Sequence, residues 1–373
     1  MSCPRIEVDL GKIRNNTQTV VRRLDPSGIG VTAVTKAFCG HPAIAQAMLD
    51  GGVLGLADAR ISNVLRLRQG GITGPITLIR TPMLSQADQV VQLCEASYNT
   101  ELSVISALAS AAIREDRTHD IMLMVEMGDL RDGILPEKVV GIAQQVVRMP
   151  GVMLKGIGAN FACLSDVAPT AAQMAALGAL ADEIEGTCGP FVHTVSGGNS
   201  ATLPLAFAEE FAGRVNDLRL GEAILLGLEP VSGDQIAGMH TDAFTLVAET
   251  IEIGMKLTPS PVALVDRPSA RLRVVSAKGV SKRLILAIGQ QDTDISGLSM
   301  PVGSTLIGAT SDHLIIRTDR SMQTLGSEVR FQMNYKALMK AMSAPDIEVQ
   351  LIHDRPSRSL RQTQAGTGHL TLV

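Results

Sequence analysis

The chain has 373 residues, 45% of them apolar and 19% charged, with a net charge of −4. That length points to one large barrel or two domains, and so mild a charge gives no strong field to draw the chain to nucleic acid or an anionic membrane. With no Trp, two Tyr and seven Phe, a base-stacking surface for single strands is excluded as well. In chain order, Arg5–Leu10 reads as a strand followed by a helical start from Asp9. Short apolar or β-branched runs then recur at Gly30–Phe38, Val53–Ala59, Ile76–Thr81, Ala96–Asn99, Asp120–Met127, Met153–Ala162, Phe191–Ser196 and Leu218–Leu225. Helical periodicity lies between them at Pro42–Leu49, Ile61–Arg68, Leu84–Cys94, Glu101–Arg114, Pro136–Arg148 and Ala171–Ile184. This alternation predicts βα units, and eight strands in about 200 residues suit a closed (β/α)8 TIM barrel of the α/β class. An open doubly wound sheet would carry a Gly-rich turn after its first strand, but that strand ends in Lys-Ala-Phe-Cys-Gly.

After about Pro230 the texture changes. The segments VSGDQIAGMHTDAFTLVAETIEIGMKL, PVALVD, RLRVVSAKG, KRLILAIG and HLIIRTD are short alternating runs separated by Gly, Pro, Asp and Ser, the pattern of an antiparallel β-domain. The expected division is residues 11–230 in the barrel, with 1–10 and 231–373 in the β-domain. The polar tail from Pro356 reads as loosely ordered. The five cysteines (Cys3, Cys39, Cys94, Cys163 and Cys188) are odd in number and show no CxxC spacing. This predicts no disulfide framework and no metal site, and a reducing compartment. The N-terminus MSCPRIEVDLGKIRNN lacks the apolar stretch of a signal peptide, and no apolar run is long enough for a bilayer. The expectation is a soluble cytoplasmic chain.

Lys36 is one of few lysines and ends an apolar strand, where catalytic groups of a barrel sit. Burial would favour its neutral amine and hence a covalent imine with a carbonyl cofactor. Taken alone, it reads better as a lysine whose stem leaves the strand for solvent. Three further strand ends change the balance. Ser196-Gly197-Gly198-Asn199-Ser200 is a Gly-rich turn whose N–H groups and Ser200 hydroxyl suit a phosphate. On the eighth strand, Arg219 between apolar neighbours needs a buried acceptor, and Gly221 lets backbone approach a ligand closely. The fifth strand ends in Glu126-Met127-Gly128-Asp129-Leu130-Arg131-Asp132-Gly133, and the sixth carries Asn160. Each of these last two also reads as an ordinary turn.

Together these segments resemble the fold-type III pyridoxal 5'-phosphate enzymes, the alanine racemase superfamily, and within it the ornithine racemase-like proteins. TKAFCG, ADARISN, RTPMLS, GDLRDG, SGGNS and LRLGE carry the likeness, which covers almost the whole chain. The resemblance implies a PLP-dependent amino-acid racemase. In it Lys36 holds pyridoxal phosphate covalently and acts as one of two bases, Arg219 faces the pyridine nitrogen, and Arg131 contacts the phenolic oxygen. Asn160 lies against the ring, and Ser200 with the backbone of Gly221 and Glu222 holds the phosphate. It also implies a head-to-tail homodimer in which each β-domain completes the partner's site.

Two positions depart from the pattern. Met124 stands where alanine racemases have a carbamylated Lys, and Gln290 where they have a Tyr base. A two-base racemase needs a titratable group opposite Lys36, and His313, in Ala309-Thr310-Ser311-Asp312-His313, has a suitable ordinary pKa. Asp312 and Asp292 are alternatives, and a surface-turn histidine is the plainer reading of His313. The departures argue against alanine as substrate and for a basic amino acid such as ornithine. Its acidic partner would come from Asp129, Asp132, Glu126 or Asp292. A D-threonine aldolase-like lyase and a non-catalytic carrier of pyridoxal phosphate remain as alternatives.

Overall fold

The computed structural model describes residues 4–164, 167–208, 213–257, 280–319 and 323–352. The chain opens on strand β1 (Arg5–Asp9), and Asp9 then caps helix α1 (Leu10–Leu24) by accepting the Lys12 N–H at 3.0 Å. Eight parallel strands follow and close on themselves: β2 (Gly30–Val34), β3 (Gly55–Asp58), β4 (Ile76–Leu78), β5 (Ala96–Asn99), β6 (His119–Val125), β7 (Val152–Ala159), β8 (Thr194–Ser196) and β9 (Asp217–Leu220). The predicted TIM barrel is therefore observed, with β2 paired to β9 through Gly30↔Asp217 and Thr32↔Arg219. Helices α2 (Pro42–Leu49), α3 (Ile61–Gln69), α4 (Ala87–Leu93), α5 (Leu102–Arg114), α6 (Pro136–Val146), α7 (Ala171–Cys188), α8 (Leu203–Phe207) and α9 (Glu222–Leu226) alternate with them. Along β6 the period of two separates the faces. Met122 and Met124 meet Tyr98 inside the barrel, whereas Ile121, Leu123 and Val125 join the main core under the helices.

Several strand readings ran too long, the first and the eighth the furthest, both of these at the mouth of the barrel. The first strand stops at Val34, because Thr35 turns to helical dihedrals and Lys36–Phe38 forms one 3-10 turn. The eighth stops at Leu220, and the apolar stretch Ala223–Leu226 is a short helix buried on all sides. A short, fully buried apolar run has no periodicity to tell strand from helix.

The second sheet runs in the order β12 (Leu298–Ser299), β15 (Glu328–Met333), β10 (Phe244–Leu257), β11 (Val280–Leu286), β14 (Leu314–Thr318) and β13 (Ser304–Ala309). KRLILAIG and HLIIRTD fall on β11 and β14. PVALVD, RLRVVSAKG and the tail from Pro356 lie outside the described residues. Strand β1 joins this sheet, antiparallel to β10 (Arg5↔Val247) and parallel to β16 (Glu348–Ile352; Arg5↔Glu348), so the sheet is not purely antiparallel. Arg5, 3% exposed, locks the junction through Glu7 and Glu328. Of the long run from Val231, only Phe244 onward is strand.

Helix α10 (Tyr335–Ser343) has no counterpart in the sequence reading. It is capped by Asn334, whose Oδ1 accepts the Ala337 N–H at 2.9 Å. It buries Ala337, Leu338, Ala341 and Met342 and packs against the Lys36–Phe38 turn. The β-domain thus reaches the barrel mouth within one chain. Among the described residues no helix is long and apolar enough to cross a membrane.

Candidate active site

A cavity of about 1010 Å³ opens at the C-terminal ends of the barrel strands. Lys36, Arg131, Asn160, Ser200, Arg219, Gly221 and Glu222 all line it, as do Glu229 and Tyr335. Residues scattered over nearly 200 positions meet here because a parallel barrel gathers the ends of all its strands on one rim. His313 does not line this cavity. It sits exposed on the turn between β13 and β14, where its N–H donates to the Thr310 hydroxyl at 3.1 Å.

Lys36 is half-buried, and the backbone beneath it is held from below. Asp58, fully buried at the end of β3, accepts from the Thr35 hydroxyl at 2.6 Å, the Arg60 N–H at 2.8 Å and Asn63 Nδ2 at 3.0 Å. Burial pushes its carboxyl above the usual range while these donors oppose the shift. The chain then escapes through Cys39 (φ 53°) and Gly40 (φ 64°), where a Cβ would lie 2.7 Å from the Asn63 carbonyl.

Arg219 is 3% exposed inside the barrel. Its Nη1 donates to Ser196 Oγ at 2.6 Å and Tyr98 Oη at 3.0 Å, and its Nη2 to the Ala159 carbonyl at 2.5 Å and Asn160 Oδ1 at 3.0 Å. Gly158 makes the room, since a Cβ there would lie 3.0 Å from Nη1. No carboxylate lies within 4 Å of Arg219 among the described residues. Asp217 is reached through Ser196, and Thr32 donates to the same carboxylate at 2.7 Å. A buried cation with only neutral direct partners is poised for an electron-rich atom in the cavity.

The SGGNS turn and the start of α9 are tied together, because Ser200 Oγ accepts the Ala223 N–H at 3.1 Å. Asn199 shapes the turn rather than facing the cavity alone, donating to the Phe161 carbonyl at 2.7 Å and accepting from Ala201 N at 2.9 Å. Opposite lies Tyr335, which, like Glu229, sequence reasoning missed. A Cβ on Gly221 would sit 3.2 Å from Val34 Cβ and 3.6 Å from the Tyr335 hydroxyl. Burial raises the phenol well above its ordinary value, so it stays a neutral donor. Asn334 followed by an amphipathic KALMKAM stretch was a legible helix start, but nothing local placed it over the barrel.

The carboxylates proposed for a cationic substrate are mostly occupied. Glu126 accepts from Gly128 N and Leu130 N, Asp129 from Cys163 N and Leu164 N, Asp132 from Arg131, and Asp292 from Gly289 N. Glu222, expected to contribute only backbone, has no side-chain hydrogen bond among the described residues. Burial first, then the neighbouring Glu229, push its pKa up to about 7, against a weaker pull from Lys36.

This set fits pyridoxal phosphate: a half-buried amine, a buried cation with no carboxylate in direct contact among the described residues, and a cradle of the Ser200 hydroxyl and Gly221 with the Tyr335 hydroxyl opposite. Among the described residues no group of three His, Cys, Asp or Glu could hold a metal.

The comparisons agree with this geometry. Residues 8–230 match the alanine racemase N-terminal domain. The chain is 34% identical over 356 residues to an ornithine racemase of Acetoanaerobium sticklandii, covering 94% of this chain and 99% of that one. It is 33% identical over 352 residues to a lysine racemase of Thermotoga maritima, covering 93% and 98%. The crystal structure of alanine racemase from E. faecalis superposes with a TM-score of 0.70 at 19% identity, covering 94% and 98%, which shows a shared fold. Barrel, β-domain and cavity thus belong together, and the chain is a member of the alanine racemase family of pyridoxal phosphate-dependent enzymes.

Proposed function

We propose that the protein interconverts the L and D forms of a basic free amino acid, ornithine or lysine, with pyridoxal phosphate held on Lys36. The two relatives named above support the reaction class, and one feature of the cavity carries the substrate class. That feature is Glu222, a carboxyl with no hydrogen-bond or ion-pair partner among the described residues and a raised proton affinity, which an entering ammonium group would satisfy. Bound pyridoxal phosphate supplies the electron sink that makes the α-hydrogen acidic. Lys36 holds it covalently and moves the proton on one face. Ser200, the backbone of Gly221 and Glu222, and the Tyr335 hydroxyl hold the phosphate. Arg219 faces the ring nitrogen and disfavours its protonation, Arg131 faces the phenolic oxygen, and Asn160 lies against the ring.

Proton NMR in deuterated water, with chiral analysis, tests this on L-ornithine, L-lysine, L-arginine, L-alanine and L-serine. Loss of the α-signal with appearance of the D isomer, fastest for ornithine or lysine, is the expected result. No exchange in protein that binds the cofactor would favour a lyase or a cofactor carrier. Glu222→Gln should raise KM for ornithine about tenfold or more, a loss near 1.4 kcal/mol, and leave that for norvaline unchanged. The same variant has a stability signature. The folded carboxyl titrates near 7 and the unfolded one near 4.5, so the unfolded state releases its proton first as pH rises. Apoprotein stability should therefore fall from pH 4.5 through 7, by up to about 3 kcal/mol. Denaturant melts of Glu222→Gln should lack that slope.

The second base is proposed to come from the β-domain of a partner chain in a head-to-tail dimer. Leu130 and Leu164, 77% and 62% exposed beside Arg131 and Cys163 at the cavity mouth, are apolar tips that a partner would cover. His313 is the candidate, since it is exposed and outside its own chain's cavity. Mixing Lys36→Ala with His313→Ala subunits should recover racemisation that neither parent shows. A His313→Ala protein of normal rate in both directions would remove this residue from the mechanism. Cytosolic residence is part of the same reading, supported by Cys39, Cys94, Cys163 and Cys188, all free thiols among the described residues.

A further inference from the structure

We infer that Asp132 is a positioning residue, fixing Arg131 and Asn160 against each other across the barrel mouth with Asp129 as the buried counter-charge behind them. The inference rests on the reading that the cavity holds pyridoxal phosphate with Arg131 and Asn160 facing it. One oxygen makes the bridge. Asp132 Oδ1 accepts from Arg131 Nε at 2.7 Å and from Asn160 Nδ2 at 3.4 Å. The amide's own oxygen accepts from Arg219 Nη2 at 3.0 Å. Arg131, Asp132, Asn160 and Arg219 thus form one chain of contacts linking two of the arginines that line the cavity.

Arg131 is 40% exposed, and an arginine so placed would ordinarily sample many rotamers. Two carboxylates restrict it. Asp132 takes its Nε, and Asp129, only 2% exposed, places Oδ2 at 3.8 Å from the same nitrogen. That Oδ2 is buried without a hydrogen bond, while Oδ1 is spent on Cys163 N and Leu164 N at 2.8 and 3.1 Å. A buried carboxylate oxygen left this way is costly unless a cation stays near, so Asp129 holds the guanidinium close. With Nε engaged, the Nη groups of Arg131 are left to point at a ligand.

The backbone is shaped to the same end. Glu126 Oε1 gathers the N–H groups of Gly128 (2.6 Å) and Leu130 (3.1 Å), and Leu130 adopts φ 57°. Gly133 (φ 159°) brings the chain back so closely that a Cβ would lie 2.4 Å from Glu126 N. This folded loop carries Asp132 to the end of β7, where Asn160 lies. Asn160 Nδ2 also meets Met124 Sδ at 3.3 Å, a weak acceptor, so Asp132 is the charged acceptor on the nitrogen side, and with Arg219 on the oxygen it sets which way the amide points.

The experiment compares Asp132→Asn, Asp132→Ala and Asp132→Glu in the holoenzyme, each alone and with Arg131→Lys. Readouts are the visible absorption of the bound cofactor titrated against pH, the dissociation constant for pyridoxal phosphate added to apoprotein, and kcat and KM separately. Asp132→Ala and Asp132→Asn should shift the spectroscopic midpoint by about half a unit or more and weaken the cofactor about tenfold. They should lower kcat more than they raise KM, with partial rescue in Asp132→Glu. Adding Arg131→Lys should cause little further loss, because partners in one network are not additive. Asp132→Asn keeps the side-chain shape and serves if the alanine variant does not fold. Unchanged spectra with fully additive losses would overturn the positioning role alone, and wild-type protein that takes up no pyridoxal phosphate would overturn it together with the proposed function.

Discussion

Replacing Lys36 with Ala is expected to remove the visible absorption of covalently held cofactor and at least about 10⁴-fold of the racemisation rate. Both losses follow from one atom, the amine that would bind the cofactor and move the proton. A second lysine, Lys336, also lines the cavity, but it is exposed on the first turn of α10, and the free motion of its stem makes it a poor substitute. Lys36 instead springs from a turn fixed through Thr35, whose hydroxyl reaches both the Ala57 carbonyl and buried Asp58, itself held by Arg60 N and Asn63. Absorbance spectra and NMR exchange on Lys36→Ala, with Lys336→Ala as the control, decide the point. The alanine variant should still bind pyridoxal phosphate through Ser200, Gly221 and Tyr335, with the spectrum of the free aldehyde. Wild-type exchange in Lys36→Ala would sink the assignment.

Arg219→Ala should be the most damaging change inside the barrel, lowering stability by about 3–5 kcal/mol and disabling the site. The guanidinium serves Ser196, Tyr98, the Ala159 carbonyl and Asn160 at once, and it stacks over the Tyr98 ring at 4.7 Å. Truncation leaves buried acceptors unpaired and removes the donor that ties Ser196, and through it the Asp217 carboxylate, to the guanidinium. Lys in its place would carry the charge but not the fork of donors, so Arg219→Lys should fold better than Arg219→Ala and still bind cofactor abnormally. The chemical signature is specific. Without a cation beside it the ring nitrogen would be protonated more readily, and part of the turnover would end in transamination, the substrate's amino group passing to the cofactor as keto acid is released. Denaturant melts and keto-acid assays on both variants test this. A stability loss below about 1 kcal/mol, with racemisation clean of keto acid, would contradict the role.

The contrast between what could and could not be read in the chain is instructive at particular residues. The barrel was legible because βα alternation is local in sequence and its strands are buried on both faces. Lys36, Ser200 and Arg219 were legible because each breaks the pattern of its neighbours at a strand end. Boundaries failed where apolar content had no period, as at Ala223–Leu226. Tyr335 and Glu229 were invisible, since neither breaks its local pattern and both reach the cavity through distant packing. The orienting bonds of Asp132 and Asp129 were equally hidden, because GDLRDG reads as a solvated turn until β7 is placed beside it.

By itself, then, the sequence determined the barrel, the trailing β-domain and the strand ends that line the cavity, through periodicity and the misfit of polar residues in apolar runs. Only the tertiary structure decided which carboxylates are occupied and which is open, that α10 closes over Lys36, and that two arginines share one Asp–Asn bridge. Those facts depend on distances between segments far apart in the chain, which barrel closure and packing of the β-domain set and no local pattern encodes.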